Sequence, residues 1–254
     1  MKFLFVITLF ISLLIWSVCL EPYILTVKHI SVKDDKLKGL KVAFASDFHI
    51  KPYEKFRLQR IVKLINKQNA DIVLLGGDFV NGHDGSFTMP IEHISKELSK
   101  INTRPYAVIG NHDGWQGKEQ IISSLEKNNI KVLMNENICF EKFCIAGVDD
   151  MQTGKPDITK ALNGADMPVI LLSHTPDIMP EVPYDVNLTL AGHLHGGQIR
   201  LNGAITVPSA YGKKYANGFL NDKGKKVYTT KGLGTSILPL RFNCFPEIVV
   251  INFN

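Results

Sequence analysis

The chain has 254 residues, of which 45% are hydrophobic, so it can bury a substantial core in one large domain or two small ones. This composition excludes disorder as the default state of the chain. Its 29 lysines and arginines against 24 acidic residues leave a formal charge of +5 that is scattered along the sequence. Such a charge suits phosphates or an anionic lipid surface, but we expect no nucleic acid and infer no protein partner.

An uncharged apolar run at the amino terminus predicts a membrane anchor. Residues 3–20 carry no charge, and these 18 positions approach the roughly 20 apolar residues that a spanning helix needs. A cleaved signal peptide is the alternative, although bulky Leu20 and charged Glu21 stand where a cleavage site needs small residues. We therefore assign residues 1–22 to an anchor or signal segment and residues 23–254 to a single domain.

Charges and cysteines bear on the cellular compartment. Lysines cluster after the apolar run, whereas Lys2 alone precedes it, and by the positive-inside rule this favours a cytoplasmic position for the domain that follows. Large folded domains can cross a membrane regardless of such charges. The chain lacks the Cys-x-x-Cys spacing of a structural zinc site. Cys139 and Cys144 could pair in an oxidising compartment, but we expect ordinary strand cysteines.

After the anchor, short apolar runs alternate with amphipathic stretches, which is the pattern of an α/β fold. The apolar runs are rich in Val and Ile and predict strands at 25–32, 41–45, 71–75, 106–109, 131–134, 143–147, 169–172, 187–191, 226–230 and 248–252. Apolar side chains at helical intervals predict helices near residues 56–65, 91–101 and 118–127. We expect the apolar faces of these helices to pack on a sheet.

Polar clusters directly follow five of the predicted strands. They are Ser46-Asp47-Phe48-His49, Gly76-Gly77-Asp78, Gly110-Asn111-His112-Asp113, Ser173-His174 and Gly192-His193-Leu194-His195. In open α/β sheets, ligands bind outside the carboxyl ends of strands, where loops from distant parts of the sequence meet. We therefore expect these five clusters to converge on one site.

The residue types in these clusters predict a metal centre. On an extended segment, residues i and i+2 point to the same side, so the pairs Asp47/His49 and His193/His195 each offer two donor atoms to one region. Carboxylates, one amide and several imidazoles suit Mn²⁺, Fe or Zn²⁺ better than Ca²⁺. The candidate ligands are Asp47, His49, Asp78, Asn111, His174, His193 and His195.

The ordered series resembles the signature of the calcineurin-like metallophosphoesterases. This resemblance implies an α/β fold, a four-layer αββα sandwich of two mixed sheets, with two divalent metal ions at the strand ends. One ion would be held by Asp47, His49 and His195, and the other by Asn111, His174 and His193, with Asp78 bridging them. Mn²⁺ is the foremost choice, with Zn²⁺ or Fe as alternatives, and such a pair activates water and neutralises phosphoryl charge.

The resemblance also implies catalytic roles beside the metal ligands. In the family pattern His112 is the histidine near the leaving-group oxygen, so we hypothesise a general acid or transition-state donor. Asp113 would then orient its imidazole, and a purely structural pair is the alternative. The other histidines, His29, His83 and His93, are expected at the surface, although His83 could flank the entrance of the site.

Further stretches are similar to a bacterial branch of membrane-associated phosphodiesterases, some of which cleave the pyrophosphate of UDP-2,3-diacylglucosamine during lipid A synthesis. These stretches are residues 192–198, 232–236 and 241–247. The resemblance implies a phosphorylated small molecule or a lipid-linked substrate, and a bacterial inner membrane. Arg241 would bind an anionic substrate group or, alternatively, make structural bonds. Between Asn111 and His174 there is no long helical insertion, so lipid recognition would fall to short loops.

Three functions compete on these grounds. The first is a membrane-associated phosphodiester or pyrophosphate hydrolase, and the second is a phosphomonoesterase, which could act on phosphoproteins. The third is a non-catalytic scaffold that retains a metal. A scaffold normally loses metal ligands or the leaving-group histidine, and this sequence keeps all of them, which favours an enzyme.

Overall fold

The computed structural model describes residues 2–85, 87–201 and 205–254. The helices in these ranges are α1 Lys2–Ile15, α2 Lys55–Asn66, α3 Ile91–Leu98, α4 Asn111–Trp115, α5 Lys118–Lys127 and α6 Ile158–Leu162. The strands are β1 Thr26–Val32, β2 Lys41–Ala45, β3 Ile72–Leu75, β4 Pro105–Ala107, β5 Lys131–Val132, β6 Glu136–Cys139, β7 Cys144–Gly147, β8 Val169–Ser173, β9 Val186–Ala191, β10 Gly218–Asp222, β11 Lys225–Thr229 and β12 Glu247–Phe253.

All ten predicted strands and all three predicted helices occur, with ends shifted by a few residues. Strands β6 and β10 were not predicted, because both lie at the edge of a sheet and are only partly buried, so neither forms an apolar run. The short helices α4 and α6 have five residues each and were also missed, since so short a segment shows no helical period.

The strands form two mixed sheets of six. Sheet 1 has the order β1-β12-β2-β3-β4-β5, and sheet 2 has the order β10-β11-β9-β8-β7-β6. In sheet 1, β2 to β5 run parallel and β12 is antiparallel to β2. In sheet 2, β7, β8, β9 and β11 run parallel, and the edge strands β6 and β10 are antiparallel to their neighbours.

Three apolar clusters separate four layers. The first lies between the outer face of sheet 1 and α2, α3 and α5, where Ile61 and Ile94 meet Val73. The second lies between the sheets and includes Phe44 and Leu172. The third covers the outer face of sheet 2 beneath α6 and neighbouring turns. Alternate residues of each strand enter opposite clusters, as strand geometry requires. The predicted αββα sandwich is therefore confirmed.

The amino-terminal helix projects from the domain but is bonded to it at its end. Helical structure over Lys2–Tyr23 is long and apolar enough to cross a membrane, and a signal sequence would meet the same criterion. The backbone N–H of Arg241 donates to the Ser17 carbonyl at 2.9 Å. The N–H of Cys244 donates to the Glu21 carboxylate at 2.5 Å. The last turns of this helix are thus packed on the loop before β12.

The structure corrects the expectation for two cysteines. Cys139 and Cys144 form a disulfide, with their Cα atoms 4.0 Å apart. They occupy directly opposed positions of the antiparallel pair β6/β7, and the tight hairpin between them brings the two sulfur atoms together. The sequence reveals five-residue spacing but not that register, because β6 has no apolar pattern of its own.

Candidate metal centre

The seven candidate ligands lie together at the carboxyl ends of five strands. Sheet 1 contributes the residues after β2, β3 and β4, and sheet 2 those after β8 and β9. Each of the seven is at most 8% exposed. The convergence predicted from the sequence is therefore present, and the site spans the joint edge of both sheets.

Most of these ligands have an unusual backbone conformation. Asp47, His49, Asp78, His193 and His195 have φ angles of 55°, 41°, 55°, 68° and 50°, in the left-handed region that side chains other than glycine rarely adopt. The expectation that the paired ligands lie on extended segments is thus wrong. Tight left-handed turns turn the side chains inward instead. Such strain persists where surrounding packing enforces it, and it concentrates at functional sites.

The loop after β11 packs directly on the first ligand turn. The N–H groups of Leu233 and Gly234 donate to the Asp47 carbonyl at 3.2 and 2.5 Å. Gly232 has a φ of +68°, and a Cβ atom there would lie 2.7 Å from the Asp47 Cβ. Only glycine allows this close approach of backbone to ligand.

Asp78 lies at the middle of the ligand set. Its Oδ2 atom is 3.3 Å from His49 Nε2 and 3.2 Å from His174 Nε2. Its Oδ1 atom accepts a hydrogen bond from the backbone N–H of His112 at 2.8 Å. Burial raises the pKa of Asp78, but His174 and His49 outweigh it and hold that pKa well below its usual range. One carboxylate oxygen therefore faces both groups of histidines.

The remaining ligands form two groups on either side of this oxygen. In the first, His49 Nε2 lies 3.1 Å from His195 Nε2, which is 3.6 Å from Asp47 Oδ1. In the second, Asn111 Oδ1 lies 3.0 Å from His174 Nε2 and 2.9 Å from His193 Nδ1. These groupings coincide with the two sets that the family resemblance implies.

The hydrogen bonding and protonation of the candidate ligands suit divalent cations. Within the described residues, the buried Asp47 Oδ2 has no hydrogen-bond partner. Burial, reinforced by neighbouring histidines, lowers the pKa of His193 to about 4 and that of His195 well below its usual value, so both imidazoles are neutral. Metal binding requires neutral imidazoles and ionised carboxylates. Burial lowers the pKa of His174, but the Asp78 carboxylate outweighs it and raises that pKa to about 10, so a bound cation would displace the proton of this imidazole. With that proton released, the donor set fits metal ions.

His112 lies beside the ligands, with a ring nitrogen within 4.8 Å of donor atoms of His49 and Asp78, but outside the two groups described above. Its Nδ1 is 2.6 Å from the carbonyl of Gly82, which fixes the ring orientation, and its Nε2 is 3.3 Å from the Ser236 hydroxyl. The ring centroid lies 4.6 Å from that of His49, edge to face. Burial lowers the pKa of His112 to about 4. Its Nε2 thus points to the border between the ligands and the loop after β11.

Asp113 has a different role from the one predicted. Its carboxylate accepts hydrogen bonds from the backbone N–H groups of Asp78, Phe79, Val80 and Gly110, at 2.7 to 3.2 Å. Burial and the nearby Asp78 raise its pKa to about 7. The Gly82 carbonyl, not Asp113, orients the His112 imidazole. Through these hydrogen bonds, Asp113 instead stabilises the left-handed turn that carries Asp78.

Arg241 fits the structural alternative. Its side chain is fully buried, and its guanidinium donates to backbone carbonyls of Gly234, Cys244 and Lys231 at 2.6 to 3.0 Å. Those carbonyls belong to the loop that packs on Asp47. The guanidinium therefore stabilises this loop and is not presented to a substrate.

The other histidines divide as expected. His29 and His93 are exposed. His83 is exposed too, but its ring stacks on Trp115 with centroids 4.5 Å apart and lies 4.9 Å from the ring of His112. His83 therefore flanks the site.

One group of site residues was missed. Gln152 Nε2 lies 3.2 Å from His193 Nε2, and the Asp150 carboxylate accepts from the N–H groups of Gln152 and Thr153 at 2.9 and 2.8 Å. The turn that holds Gln152 follows β7, so this is a sixth polar cluster after a strand. The rule that identified the other five clusters would have found it.

Comparisons with known proteins agree with this geometry. Residues 40–197 match the family model of the calcineurin-like phosphoesterases. The uncharacterized metallophosphoesterase YkuE of Bacillus subtilis is 32% identical over 253 aligned residues, covering 91% of this chain and 86% of that protein. Phosphodiesterase YaeI of Escherichia coli is 33% identical over 235 residues, covering 85% and 83%. The crystal structure of TT1561 from Thermus thermophilus has a similar fold, with a TM-score of 0.52, 15% identity, and coverage of 77% of this chain and 91% of that one.

Proposed function

The chain belongs to the calcineurin-like phosphoesterase family, which makes it a metal-dependent phosphoester hydrolase, and we propose that it is a membrane-anchored phosphodiesterase with a two-metal centre. The observation that carries this proposal is the position of the Asp78 carboxylate between two separate groups of ligands. Asp47, His49 and His195 would hold one ion. Asn111, His174 and His193 would hold the other.

Two divalent cations, when bound, supply water activation and charge neutralisation for phosphoryl transfer. Mn²⁺ is the proposed ion, with Zn²⁺ or Fe as alternatives, because the set mixes imidazoles with oxygen donors. The protein holds these donors in strained turns, so little reorganisation is needed when a charged substrate binds.

We assign His112 to the leaving-group side of the reaction. Its Nδ1 is engaged by the Gly82 carbonyl, which leaves Nε2 beside the Ser236 hydroxyl at 3.3 Å. Because the carbonyl accepts the Nδ1 hydrogen, Nε2 of the neutral ring carries no proton. His112 would therefore serve the departing oxygen in its protonated form, which an anionic substrate beside the ring would favour. Asp113 is a positioning residue in this proposal, because it holds the turn of Asp78 and does not bond to the imidazole.

The proposed substrate is a phosphodiester or a pyrophosphate. The 33% identity to an Escherichia coli protein named as a phosphodiesterase supports the diester. The amino-terminal helix supports a lipid-linked substrate, because an anchored enzyme meets molecules of the same membrane. A phosphomonoesterase has the same ligands and is an outcome of the test below.

We further propose that the chain lies in a bacterial cell membrane with its domain on the outer, oxidising side. The disulfide between Cys139 and Cys144 supports that side, because cytosolic proteins rarely hold such bonds. The distribution of lysines supports the cytoplasmic side, but large domains cross membranes despite such charges. We therefore give the disulfide more weight.

The test compares bis-p-nitrophenyl phosphate with p-nitrophenyl phosphate after chelation and Mn²⁺ add-back. We expect Mn²⁺-dependent hydrolysis of the diester to exceed that of the monoester. A preference for the monoester would establish the second function. Hydrolysis of neither compound, with two equivalents of Mn²⁺ bound, would establish the scaffold.

A further inference from the structure

Apolar side chains are exposed on two loops that border the metal centre. Tyr53 and Phe56, at the start of α2, are 61% and 83% exposed. Ile237 and Leu238, in the loop after β11, are 91% and 50% exposed. Exposed apolar groups that gather in one region mark a contact surface. We call these four residues the apolar rim.

The first half of the rim is bonded to the end of the amino-terminal helix. The guanidinium of Arg60, one helical turn after Phe56, donates to the backbone carbonyl of Tyr23 at 3.3 Å. The side chains of Tyr23 and Tyr53 are also hydrogen-bonded. Tyr53 and Phe56 therefore lie where the helix leaves the domain.

The second half of the rim is joined to the same helix end. Arg241, whose N–H bonds to Ser17, is four residues from Ile237, so their Cα atoms can be at most about 14 Å apart. The Trp16 ring also packs edge to face on Phe245, with centroids 6.5 Å apart. Both halves of the rim thus lie near the end of the amino-terminal helix.

The conformation of the second loop is held from within the protein. Gln198 bonds to the Ser236 N–H and carbonyl at 2.6 and 3.0 Å, and to the Leu238 carbonyl at 3.3 Å. Between them Ile237 has a φ of 63°, a rare conformation for a β-branched residue. The hydrogen bonds of Gln198 therefore hold the loop in a conformation that exposes the Ile237 side chain. Exposure of this apolar side chain to water is energetically unfavourable.

We propose that the apolar rim inserts into the membrane surface beside the amino-terminal helix, so that the metal centre opens at the lipid–water interface. The inference rests on the membrane anchoring proposed above. Tyr53 is four residues from His49, and Ser236, next to Ile237, contacts His112, so each half of the rim lies near the metal centre.

The charges and side chains around the rim agree with a lipid surface. Lys55 and Arg60 are exposed on α2 beside Phe56, where they would meet anionic headgroups. Aromatic residues such as Tyr53 concentrate at membrane interfaces. A phosphate group at headgroup depth would then reach His112 without leaving the membrane.

The test measures membrane depth in the full chain. In a Cys19→Ser background, where Cys244 is buried and the other two cysteines are paired, Ile237→Cys and Phe56→Cys are labelled with an environment-sensitive fluorophore. The protein is reconstituted in phosphatidylethanolamine–phosphatidylglycerol vesicles that contain a headgroup-depth nitroxide lipid. Tyr184→Cys is the matched control, because Tyr184 is 70% exposed and precedes β9, at the end of the sheet opposite the ligands.

We expect quenching at positions 237 and 56 to be at least threefold stronger than at position 184. Equal quenching at all three positions in chains that stay in the vesicles would overturn the inference and leave the proposed phosphodiesterase intact. Release of the chain from the vesicles by alkaline carbonate would overturn the anchoring and this inference together. Diester hydrolysis in detergent reports on the catalytic proposal separately.

Discussion

The metal centre and the apolar rim are neighbours built on opposite physical principles. The ligands are nearly inaccessible and are set by strand ends, strained turns and carboxylate-to-backbone bonds such as those of Asp113. The rim residues are at least half exposed; Gln198 holds the loop of Ile237 and Leu238, and Arg60 links the start of α2 to the amino-terminal helix. The difference indicates that the fold assigns two tasks to separate residues. Buried, rigid side chains form the candidate metal centre, and exposed side chains form the proposed contact with the membrane.

The largest expected effect comes from a substitution in the buried metal centre. Asp78→Asn removes the charge that faces both ligand groups, so we expect turnover of the diester to fall by about 10³-fold or more. Metal content should fall as well, measured by elemental analysis of the purified protein. Turnover within tenfold of the wild type, with two metals still bound, would contradict the central position of Asp78.

His112→Ala tests the border between the two regions. We expect turnover to fall by about 10²- to 10⁴-fold with metal content unchanged, because the imidazole would serve the leaving group and not the metals. Steady-state kinetics and metal analysis on the same preparation separate the two effects. A parallel loss of metal and turnover would make His112 a structural residue instead.

Gly232→Ala tests whether the strained turn depends on the loop that packs against it. The new Cβ would press on Asp47 at a positive φ, so we expect the free energy of unfolding to fall by about 3 kcal/mol, the upper range for such strain. Denaturant unfolding measures the change. The matched control is Gly218→Ala, which has a φ of +86° but open space around its Cβ. Equal losses in both variants would show that conformation alone matters.

Cys139→Ser should have the smallest effect, because the disulfide is remote from both the ligands and the rim in the fold. Loss of the short closed loop should lower the free energy of unfolding by about 2 kcal/mol and leave diester turnover within twofold. Wild-type protein treated with dithiothreitol should lose the same amount. If reduction leaves the unfolding transition unchanged, the disulfide contributes nothing to stability.

The two regions also differ in how far the sequence predicted them. The candidate ligands were recognisable because each follows an apolar strand, and the carboxyl ends of parallel strands meet at one edge of a sheet whatever the length of the intervening loops. The rim gave no comparable signal, since single exposed residues such as Phe56 and Ile237 belong to no period. Their proximity depends on how the amino-terminal helix and the loop before β12 pack.

The sequence by itself determined the ten principal strands, the α/β class and the identity of the candidate ligands, because apolar runs and strand-terminal polar clusters are local patterns. The four-layer sandwich followed from the family resemblance that those clusters carry. Only the tertiary structure decided what depends on contacts between distant segments. The left-handed turns of the candidate ligands are enforced by surrounding packing. The Asp113 carboxylate accepts hydrogen bonds from backbone N–H groups of another loop, and the Arg241 guanidinium donates to carbonyls of its own loop. Cys139 meets Cys144 through a strand register that neither residue type specifies.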